Sequence, residues 1–183
     1  MDPILIAILV VAGLVAVGIG VMVMRRRERE RLQERFGNEY EHQVQASGGS
    51  RAKAEAELMK REKRVERLDI RPLQPAQREA FAGEWQEVQA RFEDDPLRSI
   101  ALADALVADV MKARGYPVDD FEQRAADISV EHPQLVENYR AAHEIARRHR
   151  EGRADTDDLR AAMIGYRSMF EELLGADTPE LTH

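Results

Sequence analysis

From Ile4 to Met24 the chain runs through 21 residues without a charge. From Arg25 onward, apolar residues recur only at helical spacing among charged ones. At 1.5 Å per residue the uncharged run reaches roughly 31 Å, the thickness of a bilayer's hydrocarbon core. It predicts a transmembrane helix over 4–24. Basic residues follow the run instead of preceding it, and no small-x-small cleavage site comes after it. An uncleaved anchor is therefore expected, not a signal peptide.

The helix is expected to continue to about Phe36 and break at Gly37. Asn38 with Glu41 has the form of a capping box, which restarts a short helix. Ser47-Gly48-Gly49-Ser50 reads as a linker, and Ser50 can cap a helix from Arg51 to about Leu68. The apolar stripe of that helix, Leu58, Val65 and Leu68, is narrow like a coiled-coil seam and covers fewer than three heptads. A solvated spacer, packed at one end on the following domain, is expected.

Five further helices follow from periodicity and caps. Pro75 opens one with Phe81, Trp85, Val88 and Phe92 on a single face. Asp95-Pro96 opens the next, lined by Leu97, Ile100, Ala103, Leu106, Val110 and Met111 and closed by Gly115. Asp119 or Asp120 starts a short helix with Phe121, Ala125 and Ile128. His132-Pro133 starts another, with Leu135, Val136, Tyr139, Ala142 and Ala146 inward and Gly152 at its end. Thr156 is expected to cap the last, lined by Leu159, Met163, Tyr166, Phe170, Leu173 and Leu174. No segment alternates with period two. The expected fold is all-α: a single transmembrane helix at 4–24, charged juxtamembrane helices and spacer at 25–71 with a linker at 47–50, a helical bundle of about five helices at 72–175, and a frayed tail at 176–183.

Charge adds direction. Residues 25–71 carry a net +4 and residues 72–183 a net −10, which with Asp2 gives the chain's −7. Arg25, Arg26 and Arg27 begin a basic cluster on one side of the apolar run, against a lone Asp2 on the other. The positive-inside rule places the C-terminal region in the cytoplasm. The same three arginines are candidates for contact with anionic lipid head groups. Ala12, Ala16 and Gly20 fall four apart, a spacing that lets two membrane helices approach, so a homodimer face is a candidate there. The acidic bundle argues against nucleic acid, which needs clustered cations.

Chemistry is sparse. The chain has no cysteine, which excludes disulfides, thiol catalysis and cysteine metal sites. His143-Glu144 begins like a zinc-protease motif, but the second histidine position is Arg147. Tyr139 and His143 lie one turn apart, a spacing for a hydrogen bond or ring contact. The pairs Asp94-Asp95, Asp119-Asp120 and Asp157-Asp158 sit at helix starts, where they complement the helix dipole. No nucleotide, metal or catalytic motif is present, so neither an enzyme nor a cofactor is expected. One loop combines rigid turn residues with aromatics: Arg114, Tyr116, Asp119 and Phe121 form a candidate partner-binding site.

Several strings carry a resemblance: Arg35-Phe36-Gly37-Asn38-Glu39-Tyr40, Lys63 through Leu73, Trp85 through Phe92, Arg114 through Ala126, and Asp158 through Leu174. In these the chain resembles a bacterial family of membrane-anchored helical proteins of uncharacterised function. Gln74 departs from the pattern, which has Ser or Thr before the proline. The expected role is a membrane-anchored, non-enzymatic protein presenting an interaction domain to a protein partner at the cytoplasmic face of the cell membrane. The alternatives are a structural membrane-bound oligomer of the cell envelope and a small-ligand-binding helical domain.

Overall fold

The computed structural model describes residues 3–151, 153 and 155–175, with side chains from Ala12 onward. All of the ordered elements among these residues are helices. They are α1 (Pro3–Phe36), α2 (Asn38–Ala46), α3 (Arg51–Val65), α4 (Pro75–Arg91), α5 (Pro96–Arg114), α6 (Phe121–Ile128), α7 (Pro133–Arg150) and α8 (Thr156–Gly175).

Helices α4 to α8 make the expected bundle. α8 is its centre and packs on α7 and α5, while α4 lies on α5. The periodic stripes meet in one core that includes Ile100, Val107, Val110, Tyr139, Ala142, Tyr166 and Phe170. α7 and α8 approach closely because Gly165 has no side chain. A β-carbon there would stand 2.7 Å from the Asn138 carbonyl oxygen. Prolines open α4, α5 and α7 at their first position, where the missing amide is no loss. Asp95 and Asp120 cap α5 and α6 through their carboxylates. Gly115 ends α5 in the left-handed region at φ 103°, and the backbone of residues 69–71 runs across it. There Arg71 donates its amide to the Arg114 carbonyl at 2.9 Å.

Two caps differ from expectation. Asn38 does not cap α2, because its side-chain amide reaches across to Glu137 at 3.2 Å. The cap of α8 is Asp155, not Thr156. Asp155 accepts from the Asp158 amide at 2.9 Å and donates its own amide to Asp158 at 3.2 Å.

The larger correction concerns the spacer. The helix expected as a solvated spacer, α3, belongs instead to a second packed unit with α2 and the end of α1. Leu32, Phe36, Tyr40, Leu58 and Val65 bury themselves together with Val130 from the segment after α6. Ion pairs from Arg29 to Glu55, and from Arg31 and Arg35 to Glu62, follow one another in order, so the end of α1 and α3 run parallel. The short α2 carries the chain back between them. The unit is joined to the bundle by charge. Arg64 on α3 pairs with fully buried Asp127 on α6. Glu39 on α2, only 3% exposed, accepts from Arg61 at 2.7 Å and from Arg140 on α7 at 3.1 Å. A narrow stripe is enough for such a unit, because each helix shows it to two neighbours at once.

Among the described residues no helix is long and apolar enough to cross a membrane. The part of the apolar run with described side chains, Ala12 to Met24, rises only roughly 20 Å, against roughly 30 Å of hydrocarbon. The side chains of residues 4–11, Gly152 and the tail at 176–183 lie outside the described residues.

Candidate functional site

Among the polar side chains that the bundle leaves without partners, several gather around one cavity. On α5, the core stripe passes through Ile100, Ala103 and Val107, and Asp104 sits at its edge, one turn beyond Ile100. On α7, the inward residues Tyr139 and Ala142 are followed by His143, and Arg150 lies two turns further on. From α8 comes Tyr166, wholly buried. α6 contributes Arg124 and its first residue, Phe121, whose ring stacks on His143 with centroids 3.6 Å apart. Between α5, α7 and α8 these leave a half-open cavity of about 120 Å³. It is lined by Leu97, Ile100, Ala101, Asp104, His143, Ala146, Arg150 and Tyr166.

The polar atoms around this cavity are loosely paired. Asp104 receives Arg124 and the Tyr139 hydroxyl through one oxygen, both at 3.5 Å. Its other oxygen stands 4.0 Å from Nδ1 of His143, beyond hydrogen-bond reach. Nδ1 of His143, Nε of Arg124 and the Tyr166 hydroxyl are buried without a partner. Arg150 bonds only the Ala146 carbonyl, at 3.4 Å, and among the described residues no carboxylate pairs with it. Burial lowers the pKa of His143, and Asp104 opposes that shift. Burial likewise raises the pKa of both Tyr139 and Tyr166, with the Asp104 charge adding to it. At neutral pH the site thus holds a neutral imidazole and two neutral phenols beside Asp104, Arg124 and Arg150.

A second hollow, of about 320 Å³, opens between α2 and α7. Asn38, Glu41, His42, Gln45 and Glu137 line it beside the Glu39–Arg140 pair. Of its charged groups, Glu39 and Arg140 already join α2, α3 and α7. Among the described residues no group of three or more His, Asp or Glu could hold a metal ion.

The residues expected to form a partner-binding loop do not come together as a surface. Arg114 is buried and donates to the Leu173 carbonyl at 3.0 Å. Tyr116 is 3% exposed and bonds Glu131. Asp119 is exposed, and Phe121 is half-buried against His143 and Tyr139. The loop is a structural corner, and only its last aromatic touches the cavity. Tyr139 and His143 do not meet as expected, since Phe121 takes the face of the imidazole. Arg26 pairs with Glu30 at 2.9 Å, and Arg25 and Arg27 are exposed. Ala12, Ala16 and Gly20 are likewise exposed.

Sequence reading passed over Asp104, Arg124 and Arg150. Asp104 was the available signal: it is a charge at the rim of an apolar stripe, facing a Tyr-x-x-x-His turn. Compared with known protein families, curated proteins and solved structures, the chain matches none.

Proposed function

We propose that the chain is a membrane-anchored helical protein that presents a non-enzymatic interaction domain at the cytoplasmic face. The observation that carries the reading lies in α1. Apolar side chains on every side of it, among them Leu14, Val17, Ile19, Met22 and Met24, are 59–74% exposed. The same helix then buries Leu32 and Phe36 completely. A continuous exposed apolar cylinder of this kind needs an apolar medium or a partner. Outside it the described chain exposes only two large apolar side chains, Leu97 and Ile164. The uncharged run of 4–24 supplies enough length for a bilayer, and the cluster at Arg25 to Arg27 gives the direction.

Two exposed positions, Ala52 and Ala90, serve as single-cysteine probes in a chain without native cysteine. In intact cells both should resist an impermeant maleimide and react after permeabilisation. Labelling in intact cells would reverse the topology, and release of the protein by alkaline carbonate would remove the anchor. A second reading, a small-ligand-binding helical domain, is favoured by the loosely paired polar cavity at Asp104.

A further inference from the structure

The cavity between α5, α7 and α8 carries this inference, which does not depend on the membrane reading. α5 and α7 run antiparallel along it, since Asp104 faces His143 while Leu97 and Arg150 lie together at the other end. Its two ends therefore differ in charge. At one end Asp104 holds Arg124 and the Tyr139 hydroxyl through one oxygen, which leaves its outer oxygen and Nδ1 of His143 as two acceptors, 4.0 Å apart with nothing donated between them. A single donor group making hydrogen bonds of about 2.8 Å to each would bridge that separation at an angle near 90°. The other end offers Arg150, folded back by one turn onto the Ala146 carbonyl. Tyr166, fully buried, lines the floor, and its hydroxyl has no partner. Between the ends the wall is aliphatic: Ile100, Ala101 and Ala146.

We propose that this cavity is a binding site for a small zwitterion of amino-acid size, with its ammonium on Asp104 and His143 and its carboxylate on Arg150 and Tyr166. A simple anion would meet the Asp104 carboxylate, and a simple cation would meet Arg150. A molecule carrying both charges satisfies both ends and supplies the partners that the buried groups lack. The volume of about 120 Å³ falls well below the roughly 300 Å³ at which drug- and cofactor-sized pockets begin. That volume suits a ligand of a few non-hydrogen atoms.

The test uses the full-length chain in detergent, titrated calorimetrically with glycine, alanine and β-alanine, and with acetate and methylammonium as the two halves. At least one zwitterion should bind saturably, with each half at least tenfold weaker. Asp104→Asn and Arg150→Gln should each weaken that binding tenfold or more, and Tyr166→Phe severalfold. Arg150 is exposed, so Arg150→Gln retains the fold even if Asp104→Asn does not. Absence of saturable binding by all three zwitterions would overturn the proposal. So would equal binding of a half-ligand, or undiminished binding by the Arg150→Gln variant.

Discussion

The Asp127 carboxylate, wholly buried on α6, is held by Arg64 on α3 through a 2.7 Å bond from Nε, across 63 residues of chain. Gln123 donates to its second oxygen at 2.9 Å. This pair fastens the α1–α3 unit to the bundle. Removing Arg64 leaves a buried charge with one neutral partner. Because Arg64 is itself one-third exposed, the loss should fall at or below the lower end of the buried-pair range. Arg64→Ala is expected to cost about 2–3 kcal/mol in urea unfolding. The double variant Arg64→Ala, Asp127→Ala should recover part of that loss. An unchanged midpoint for the single variant would show that the Arg64–Asp127 pair does not stabilise the junction.

Three glycines should respond with opposite signs. Gly115 has φ 103°, and a β-carbon there would lie 2.3 Å from the Asp69 carbonyl oxygen. Gly115→Ala should therefore cost at least about 2 kcal/mol. Gly165→Ala, against Asn138, should cost about 1–3 kcal/mol. Gly83 lies within α4, exposed, with nothing within 4 Å of a built β-carbon. Gly83→Ala should stabilise by about 0.5–1 kcal/mol. Thermal midpoints of the three variants check the order.

Trp85 stacks on Phe170 with centroids 4.6 Å apart and planes at 15°, and it is 5% exposed. Its indole N–H is buried without a partner. Trp85→Ala should cost about 3–5 kcal/mol. Trp85→Phe keeps the stack and loses no hydrogen bond, so it should cost less than about 1.5 kcal/mol. A phenylalanine variant as unstable as the alanine one would point to a polar role for the indole.

All four tyrosines are hard to ionise, chiefly through burial, with Glu131 adding at Tyr116 and Glu55 at Tyr40. A raised phenol pKa stabilises the fold below the unfolded value near 10. That stability is lost as pH rises above 10 toward the folded values. Alkaline titration followed at 295 nm should show little phenolate at pH 10.5 and a cooperative rise on unfolding. A smooth non-cooperative curve centred at pH 10 would contradict this burial.

His143 acts at the other end of the pH scale. Its folded pKa lies below the ordinary 6.5, because burial against Phe121, with Arg124 and Arg150 nearby, outweighs the pull of Asp104 and Glu122. The unfolded chain then takes the proton more readily, so stability present above pH 6.5 is lost as pH falls through the folded value. Between pH 7.5 and 5.5 the midpoint of the native chain should drop more than that of His143→Gln. Parallel curves would remove His143 as the cause.

Much of the bundle is legible along the chain, because its signals are local. Pro75, Pro96, Gly115 and Pro133 mark ends that depend only on neighbouring backbone. The packed α1–α3 unit is not legible in this way. Leu32, Phe36 and Leu58 make sense only beside Tyr40, Val65 and Val130, and no local spacing announces such distant partners. Asn38 shows the same limit, since a good capping residue is drawn away by Glu137 on another helix. The cavity is hidden for a related reason. Asp104, His143, Arg150 and Tyr166 come from three helices, and each alone reads as a surface charge or a core aromatic.

Because α1 passes without a break from its exposed apolar part into the buried contacts of Leu32 and Phe36, the two parts share one azimuth. Every residue inserted or deleted between Met24 and Leu32 would swing the domain by about 100° and shift its height by about 1.5 Å. A four-residue insertion would restore the bearing within about 40°, while a two-residue insertion would turn the domain nearly to its opposite side. Whatever the domain faces, it faces by helical phase, set by the number of residues in that one rigid shaft.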